Sequence, residues 1–160
     1  MFDEIDRQLL EILQKDGRTS NADLARQVGM AASAVFERVR RLEQRGVIRG
    51  YAAHLDPRGV GRSLLAFVLV RSDERTSEIS TGEALALEPE VLEVHHVAGQ
   101  DSYLVKVRVR DPESLGRLLR ERFGAIPTVR STQSTIALET IKESWALPIE
   151  GPPARERVRV

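Results

Sequence analysis

The apolar residues of this chain change their repeat once, and that change limits what it can fold into. Up to Gly46 they recur at three- and four-residue spacings, as on helices; from Leu64 onward strand-like runs alternate with helical stripes. A chain of 160 residues patterned this way predicts a small helical domain followed by an α+β one.

In the first part, Ile5, Leu9, Ile12 and Leu13 share one helical stripe, with Asp3 and Asp6 at its N-terminal end and Gly17 as the break. Ser20-Asn21-Ala22-Asp23 is a capping signal for a second, two-turn helix whose apolar face is Leu24, Ala25 and Val28, ending at Gly29. Val35, Val39 and Leu42 then mark a third helix running up to Gly46. Val47 to Leu55 is strand-like and runs into Asp56-Pro57, Gly59 and Gly61, which suits a connecting strand and a hinge. The expected divisions are 1–55, a hinge at 56–62, a second domain at 63–146 and a loose tail at 147–160.

In the second part, Leu64 to Val70 is an unbroken apolar strand, and Thr76 to Leu87 predicts a helix with Ile79 and Leu85 inward. Val91 to Ala98 and Tyr103 to Val109 predict two strands joined by a hairpin at Gly99 to Ser102. Pro112 opens a helix with Leu115, Leu118, Leu119 and Phe123 on one stripe, and Val129 to Thr140 predicts a fourth strand. The order βαββαβ is ferredoxin-like, with both helices on one face of an antiparallel sheet. The other face ought to be polar. Leu64 to Val70 is apolar throughout, which predicts that a second subunit covers it.

Composition bears on function. Lys and Arg total 24, as do Asp and Glu, so the chain cannot coat nucleic acid through bulk charge. Without cysteine there are no thiolate metal sites or thiol nucleophiles, and His54, His95 and His96 are the only histidines. Adjacent His95 and His96 point to opposite faces of a strand, so no metal site is expected. No nucleophile-base pair or phosphate loop is visible, so neither catalytic residues nor a cofactor is expected. No apolar run nears the ~20 residues of a membrane helix, and residues 1–16 are too acidic for a signal peptide, so a cytoplasmic location is expected.

Charge is nevertheless concentrated in one place. Residues 33–50 hold Arg38, Arg40, Arg41, Arg45 and Arg49 against Glu37 and Glu43. The second and third helices together suit a helix-turn-helix, with Ala25 small enough for the helix crossing and Gly29 for the sharp turn. Ser33, Glu37, Arg38 and Arg41 are expected to face the major groove of DNA, and Arg40, Arg45 and Arg49 its phosphates.

At these residues a resemblance emerges. Asp3-x-x-Asp6-x-x-Leu9-Leu10-x-x-Leu13-x-x-Asp16-Gly-Arg18, then Leu24-Ala25-x-x-Val28-Gly29, then Val39-Arg-Arg-Leu-Glu-x-x-Gly46-Val-Ile48-x-Gly-Tyr51 resembles the Lrp/AsnC family of bacterial and archaeal transcriptional regulators. His96-x-x-Gly99-x-x-x-Tyr103-Leu-x-Lys106-Val and Ser131-Thr-x-Ser-Thr-Ile136 to Lys142 resemble the hairpin and last strand of that family's effector domain. The resemblance implies a winged-type helix-turn-helix joined to a ferredoxin-like effector domain. It also implies homodimers formed sheet to sheet, assembly to octamers, and an amino acid effector bound between dimers.

For such a ligand, Gly99 lets backbone amides approach a carboxylate, and Asp101 or exposed carbonyls can accept from an ammonium group. Gln100 lies in the same loop, and Ser102, Tyr103, Ser134 and Thr135 add hydroxyls. Many family members have Asp where this chain has Ser102, which leaves the charged contact absent or moved to Asp101. The family often has Ser where Ala31 stands, so Ser33 is the alternative cap for the third helix. Two other readings are an effector-independent architectural DNA-binding protein and a tetrapyrrole-modifying enzyme on the same scaffold, as in siroheme decarboxylases. The hairpin Gly99-Gln-Asp-Ser-Tyr103 lacks the extra His, Arg and Tyr residues of those enzymes.

Overall fold

The computed structural model describes residues 2–73, 79–100 and 102–149. The described residues form two compact units, one of residues 2–53 together with 142–149 and one within residues 54–141. Where the sequence suggests one crossing at 56–62 and a tail from 147, the chain crosses twice, after Ala53 and after Ile141.

The first unit holds α1 (Glu4–Lys15), α2 (Asn21–Val28) and α3 (Ala32–Gln44). Each begins and ends for a local reason. Asp3 caps α1 by accepting from the Asp6 amide at 2.8 Å, and Ser20 caps α2 by accepting from the Asp23 amide at 3.1 Å. Gly29, at φ 68°, ends α2 in the left-handed region that the sharp turn before α3 requires. The inward stripes meet in a core of Leu9, Leu24, Ala25, Val35 and Val39, with Ile5, Ile12 and Ile48 at its margin. Residues 47–55 form no strand, because a ladder needs a second strand and this stretch finds none among the described residues. Instead the Val47 amide donates back to the Leu42 carbonyl at 2.9 Å, folding the chain over the end of α3.

The second unit opens with an ordered turn rather than a slack linker. Asp56 accepts from the amides of Arg58 and Gly59, and the Arg62 amide donates to the Pro57 carbonyl at 2.7 Å. It continues with β1 (Leu64–Ser72), α4 (Ser80–Ala86), β2 (Val91–His96), β3 (Tyr103–Val109), α5 (Pro112–Arg117) and β4 (Val129–Ile136). After α5 the helix widens into a π turn at Leu118–Arg122 and tightens at Phe123–Ala125. The sheet is antiparallel, in the order β2-β3-β1-β4. The expected helix from Thr76 begins at Ser80, residues 76–78 lying outside those described; Ile79, expected inward, precedes its first turn and is 54% exposed. β4 stops at Ile136 rather than Thr140 because β1 begins at Leu64 and, beyond the bond from the Ala137 amide to the Leu65 carbonyl, offers no further partner.

Period two divides the sheet. Ala66, Val68, Val70, Tyr103, Val105, Val107 and Val109 face the helices and pack on Leu85, Leu115, Leu118 and Phe123. The opposite face carries Phe67 and Leu104, with Lys106 beside Phe67 in register. No helix among the described residues covers it, and Phe67 is 38% exposed there. Lys106 is nevertheless buried, its ammonium donating to Glu93 at 2.9 Å. That bond, and a weaker one from His95, hold the Glu93 carboxyl below its ordinary range.

Gly82 in α4 lies directly on the buried Tyr103 ring. A Cβ there would sit 2.6 Å from Tyr103 Cε1 and 3.2 Å from Cζ. A ring fixed in a packed core cannot yield that space cheaply. Gly82→Ala is therefore expected to destabilise the second unit by about 1–3 kcal/mol; equal urea midpoints for variant and wild type would refute it.

Candidate DNA interface and effector hairpin

Helix α3 buries Val35, Val39 and Leu42, and this choice of inner face fixes what the outer face presents. Ser33, Phe36, Glu37, Arg40, Arg41 and Arg45 are exposed along the helix, and Arg49 just beyond it. Arg41 and Arg49 have no carboxylate partner among the described residues, Arg45 lies 5.8 Å from the Phe2 ring centroid, and Arg40 reaches Glu37 only at 3.9 Å. Exposed pairs of that length contribute little, so these guanidinium groups stay open to another partner. Phe36, an apolar ring 49% exposed on the same helix, was not singled out from the sequence, because its position falls one step off the inner stripe.

Arg38 departs from the expected orientation. Its side chain is only 20% exposed, and its Nη1 donates to Asp3 at 2.6 Å and to Asp6 at 2.7 Å. It points toward the start of α1, not away from the domain. The Asp3 carboxylate divides its two oxygens, Oδ1 capping α1 and Oδ2 receiving Arg38. The bond from the Asp6 amide, then Arg38, holds its carboxyl below the usual range, and Asp3 and Asp6 in turn hold the guanidinium charged. The sequence displays both the acidic pair and the arginine. Their pairing across 32 and 35 residues has no local signal.

Ser33 does not cap α3. The helix starts at Ala32, with Ala31 in the extended cap conformation and no side-chain cap bond, since alanine has no acceptor to offer.

In the second unit the hairpin between β2 and β3 is closed by the Val97 amide donating to the Ser102 carbonyl at 2.9 Å. Gly99, at φ 143°, takes a conformation that residues with a side chain avoid, while a Cβ there would meet nothing within 4 Å. Backbone geometry is thus what that position requires. Gln100 is exposed beside it, and Asp101 lies outside the described residues. The Ser102 hydroxyl is taken up by β1, accepting from the Ser72 amide at 3.3 Å and bonding the Ser72 hydroxyl at 3.1 Å. Tyr103 belongs to the helix-side core, 1% exposed and stacked on His96 with ring centroids 5.2 Å apart, so it lines that core rather than the loop. His95 turns to the other face and meets Glu93 at 3.2 Å.

Ser134 and Thr135 sit on the edge strand β4, opposite Val68 and Phe67, and therefore point to different faces. Ser102 is tied to Ser72, four positions further along β1, about 13 Å away at the strand rise. The hairpin and the two β4 hydroxyls are not brought to one spot within a single chain.

A three-helix unit with exposed arginines on its last helix, followed in one chain by a helix-backed sheet with a glycine hairpin, defines a two-part regulator with separate DNA-binding and sensing halves. Comparison with known proteins agrees. Residues 2–49 match the family described as winged helix-turn-helix DNA-binding, and residues 65–147 match the Lrp/AsnC ligand binding domain. The chain is 38% identical over 150 residues to the HTH-type transcriptional regulator FL11 of Pyrococcus horikoshii, covering 93% of this chain and 97% of that one. It is 39% identical over 151 residues to the leucine-responsive regulatory protein of Escherichia coli strain K12, covering 93% and 92%. Among solved structures, the feast or famine regulatory protein of M. tuberculosis complexed with L-methionine superposes with a TM-score of 0.84 at 38% identity, covering 92% of this chain and 99% of that one. A transcriptional regulator from Neisseria meningitidis, in an L-methionine complex, superposes at 0.84 with 29% identity, covering 92% and 97%. The chain belongs to the Lrp/AsnC family of transcriptional regulators. No helix among the described residues is long and apolar enough to cross a membrane.

The Arg38 bridge lends itself to a double-mutant cycle. Arg38→Ala and Asp6→Ala are each expected to lower unfolding free energy by about 1–3 kcal/mol, as for a hydrogen bond to a charged group. The double variant should cost clearly less than their sum. Additive losses in chemical denaturation would show that the two do not interact.

Proposed function

We propose that this regulator reads DNA with the outer face of α3 and that an amino acid bound at the β2–β3 hairpin alters its assembly or its DNA binding. The observation that carries the DNA half is the sorting of arginines on and after α3. Arg38 is consumed in the bridge to α1, while Arg40, Arg41, Arg45 and Arg49 stay exposed. Ser33, Glu37 and Arg41 face the groove, and Arg40, Arg45 and Arg49 meet phosphates; Arg38 acts as a positioning residue for the helix. A chain of zero net charge then binds DNA through one narrow basic face, repeated in a homodimer.

The effector half is supported by the two relatives solved with L-methionine and by the Gly99 loop, whose backbone amides suit a carboxylate. Gln100 and Asp101 complete the loop side. Because Ser134 and Thr135 lie about 13 and 17 Å along the sheet from Ser102, they serve a ligand only where a second copy brings its own loop or strand alongside. The uncovered face with Phe67 and Leu104 supports a sheet-to-sheet dimer as the unit of that assembly, with the octamer as its larger form.

Fluorescence anisotropy with DNA from upstream of the protein's own gene tests the first half. Arg41→Ala is expected to weaken binding to the preferred sequence by about 1–3 kcal/mol relative to unrelated DNA. Arg45→Ala should weaken both equally and reduce the salt slope by about 1. A wild-type protein showing no sequence preference at any salt concentration would end the proposal.

A thermal-shift panel of the twenty amino acids, run with light scattering, tests the second half. At a hundredfold excess over its dissociation constant, a true effector stabilises by about 2.7 kcal/mol. A panel with no shift and no change in particle size would favour an architectural, effector-independent protein.

A further inference from the structure

The last described residues do not trail from the second unit but return to the first. The Gln14 side chain makes a paired contact with them. The Gln14 amide nitrogen donates to the Leu147 carbonyl at 3.1 Å, and the Leu147 amide donates to Gln14 Oε1 at 2.6 Å. A glutamine amide carries the same donor and acceptor as a peptide group, so this pair reproduces one rung of a β-ladder.

The sequence prepares Leu147 for that role. Pro148 follows it and disfavours the helical region for the residue before, leaving Leu147 extended, with its N–H and C=O directed to the same side. Upstream, the Ala146 amide donates to the Ser144 hydroxyl at 3.2 Å, which turns the segment locally. Apolar burial does not hold it, since the Trp145 and Leu147 side chains are 63% and 74% exposed. The backbone of Leu147 is engaged by Gln14, in the last turn of α1 just before the Gly17 turn that leads to α2.

Connectivity gives this contact its consequence. The first unit is joined to the second after Ala53 and again before Lys142, and the second connection begins at the end of β4, the strand that carries Ser134 and Thr135. We infer that residues Trp145 to Pro148 form a strap docked on Gln14, which restrains the helix-turn-helix unit by a second tether and links the state of β4 to α1. Two tethers leave the DNA-binding unit fewer orientations than one, so less ordering is left to be done when two copies engage two half-sites. This rests on the DNA-binding reading above.

The test uses the full-length chain as wild type, Gln14→Ala and Leu147→Pro. The proline variant removes the Leu147 N–H, with its side chain and its freedom at φ, at an exposed site outside the helices, so it keeps the test sound should the helix variant fold poorly. Hydrogen exchange is followed over residues 143–149 and over α1 to α3, alongside anisotropy with the upstream DNA. In Gln14→Ala, exchange over 143–149 is expected to rise about tenfold while α1 to α3 stay protected, and both variants should bind DNA at least threefold more weakly. A wild-type 143–149 segment that exchanges as fast as a free peptide overturns the strap, as does one unchanged by Gln14→Ala. Equal DNA affinity in all three proteins overturns the restraint. Were wild type to bind no DNA at all, the functional reading would fall, while the exchange data would still decide the docking.

Discussion

An antiparallel sheet has two faces, and the described residues of the second unit supply helices for only one of them. Much of that unit follows from this shortage. The helix side is filled by valines, Tyr103 and Phe123, closely enough that a glycine is needed where α4 crosses the tyrosine ring. The open side retains Phe67 and Leu104 and sinks Lys106 among them, where Glu93 neutralises it at 2.9 Å. Residues destined for water would not be chosen this way. The same division assigns His95 and His96 to opposite sides and separates Ser134 from Thr135.

In the first unit charge rather than burial makes the key distinction. One of the arginines expected at the groove, Arg38, folds back instead, because Asp3 and Asp6 sit at the positive end of α1 and Arg38 satisfies both. This bridge sets the rotation of α3 about its axis together with Val35, Val39 and Leu42, and the remaining basic residues are thereby turned outward.

Periodicity made the helices of the first unit, the strands and the order βαββαβ readable in advance, since these depend on neighbours in sequence. What escaped depended on partners distant in sequence. The spacing of Val47 to Leu55 is strand-like, yet a strand exists only beside another, and the end of β4 is set by where β1 begins rather than by its own residues. Tyr103 was read as a ligand hydroxyl because it adjoins the hairpin, whereas its parity on β3 carries it into the core. Gln14 gave no signal at all, being one polar residue on the outer side of an amphipathic helix.

The strand order β2-β3-β1-β4 also bears on how the chain avoids sticking to itself. Leu64 to Val70 has high β propensity and no charge or proline, the composition of a segment that stacks into fibres when its backbone is free. Placed second from one side, β1 has both backbone edges occupied, by β3 and by β4. The strand left at the rim beside it is β4, whose Arg130-Ser-Thr-Gln-Ser-Thr135 run is a poor template for further growth. The most hazardous seven residues are thus safe only once the last strand has been added. A chain cut short before residue 129 would present that apolar edge to its neighbours.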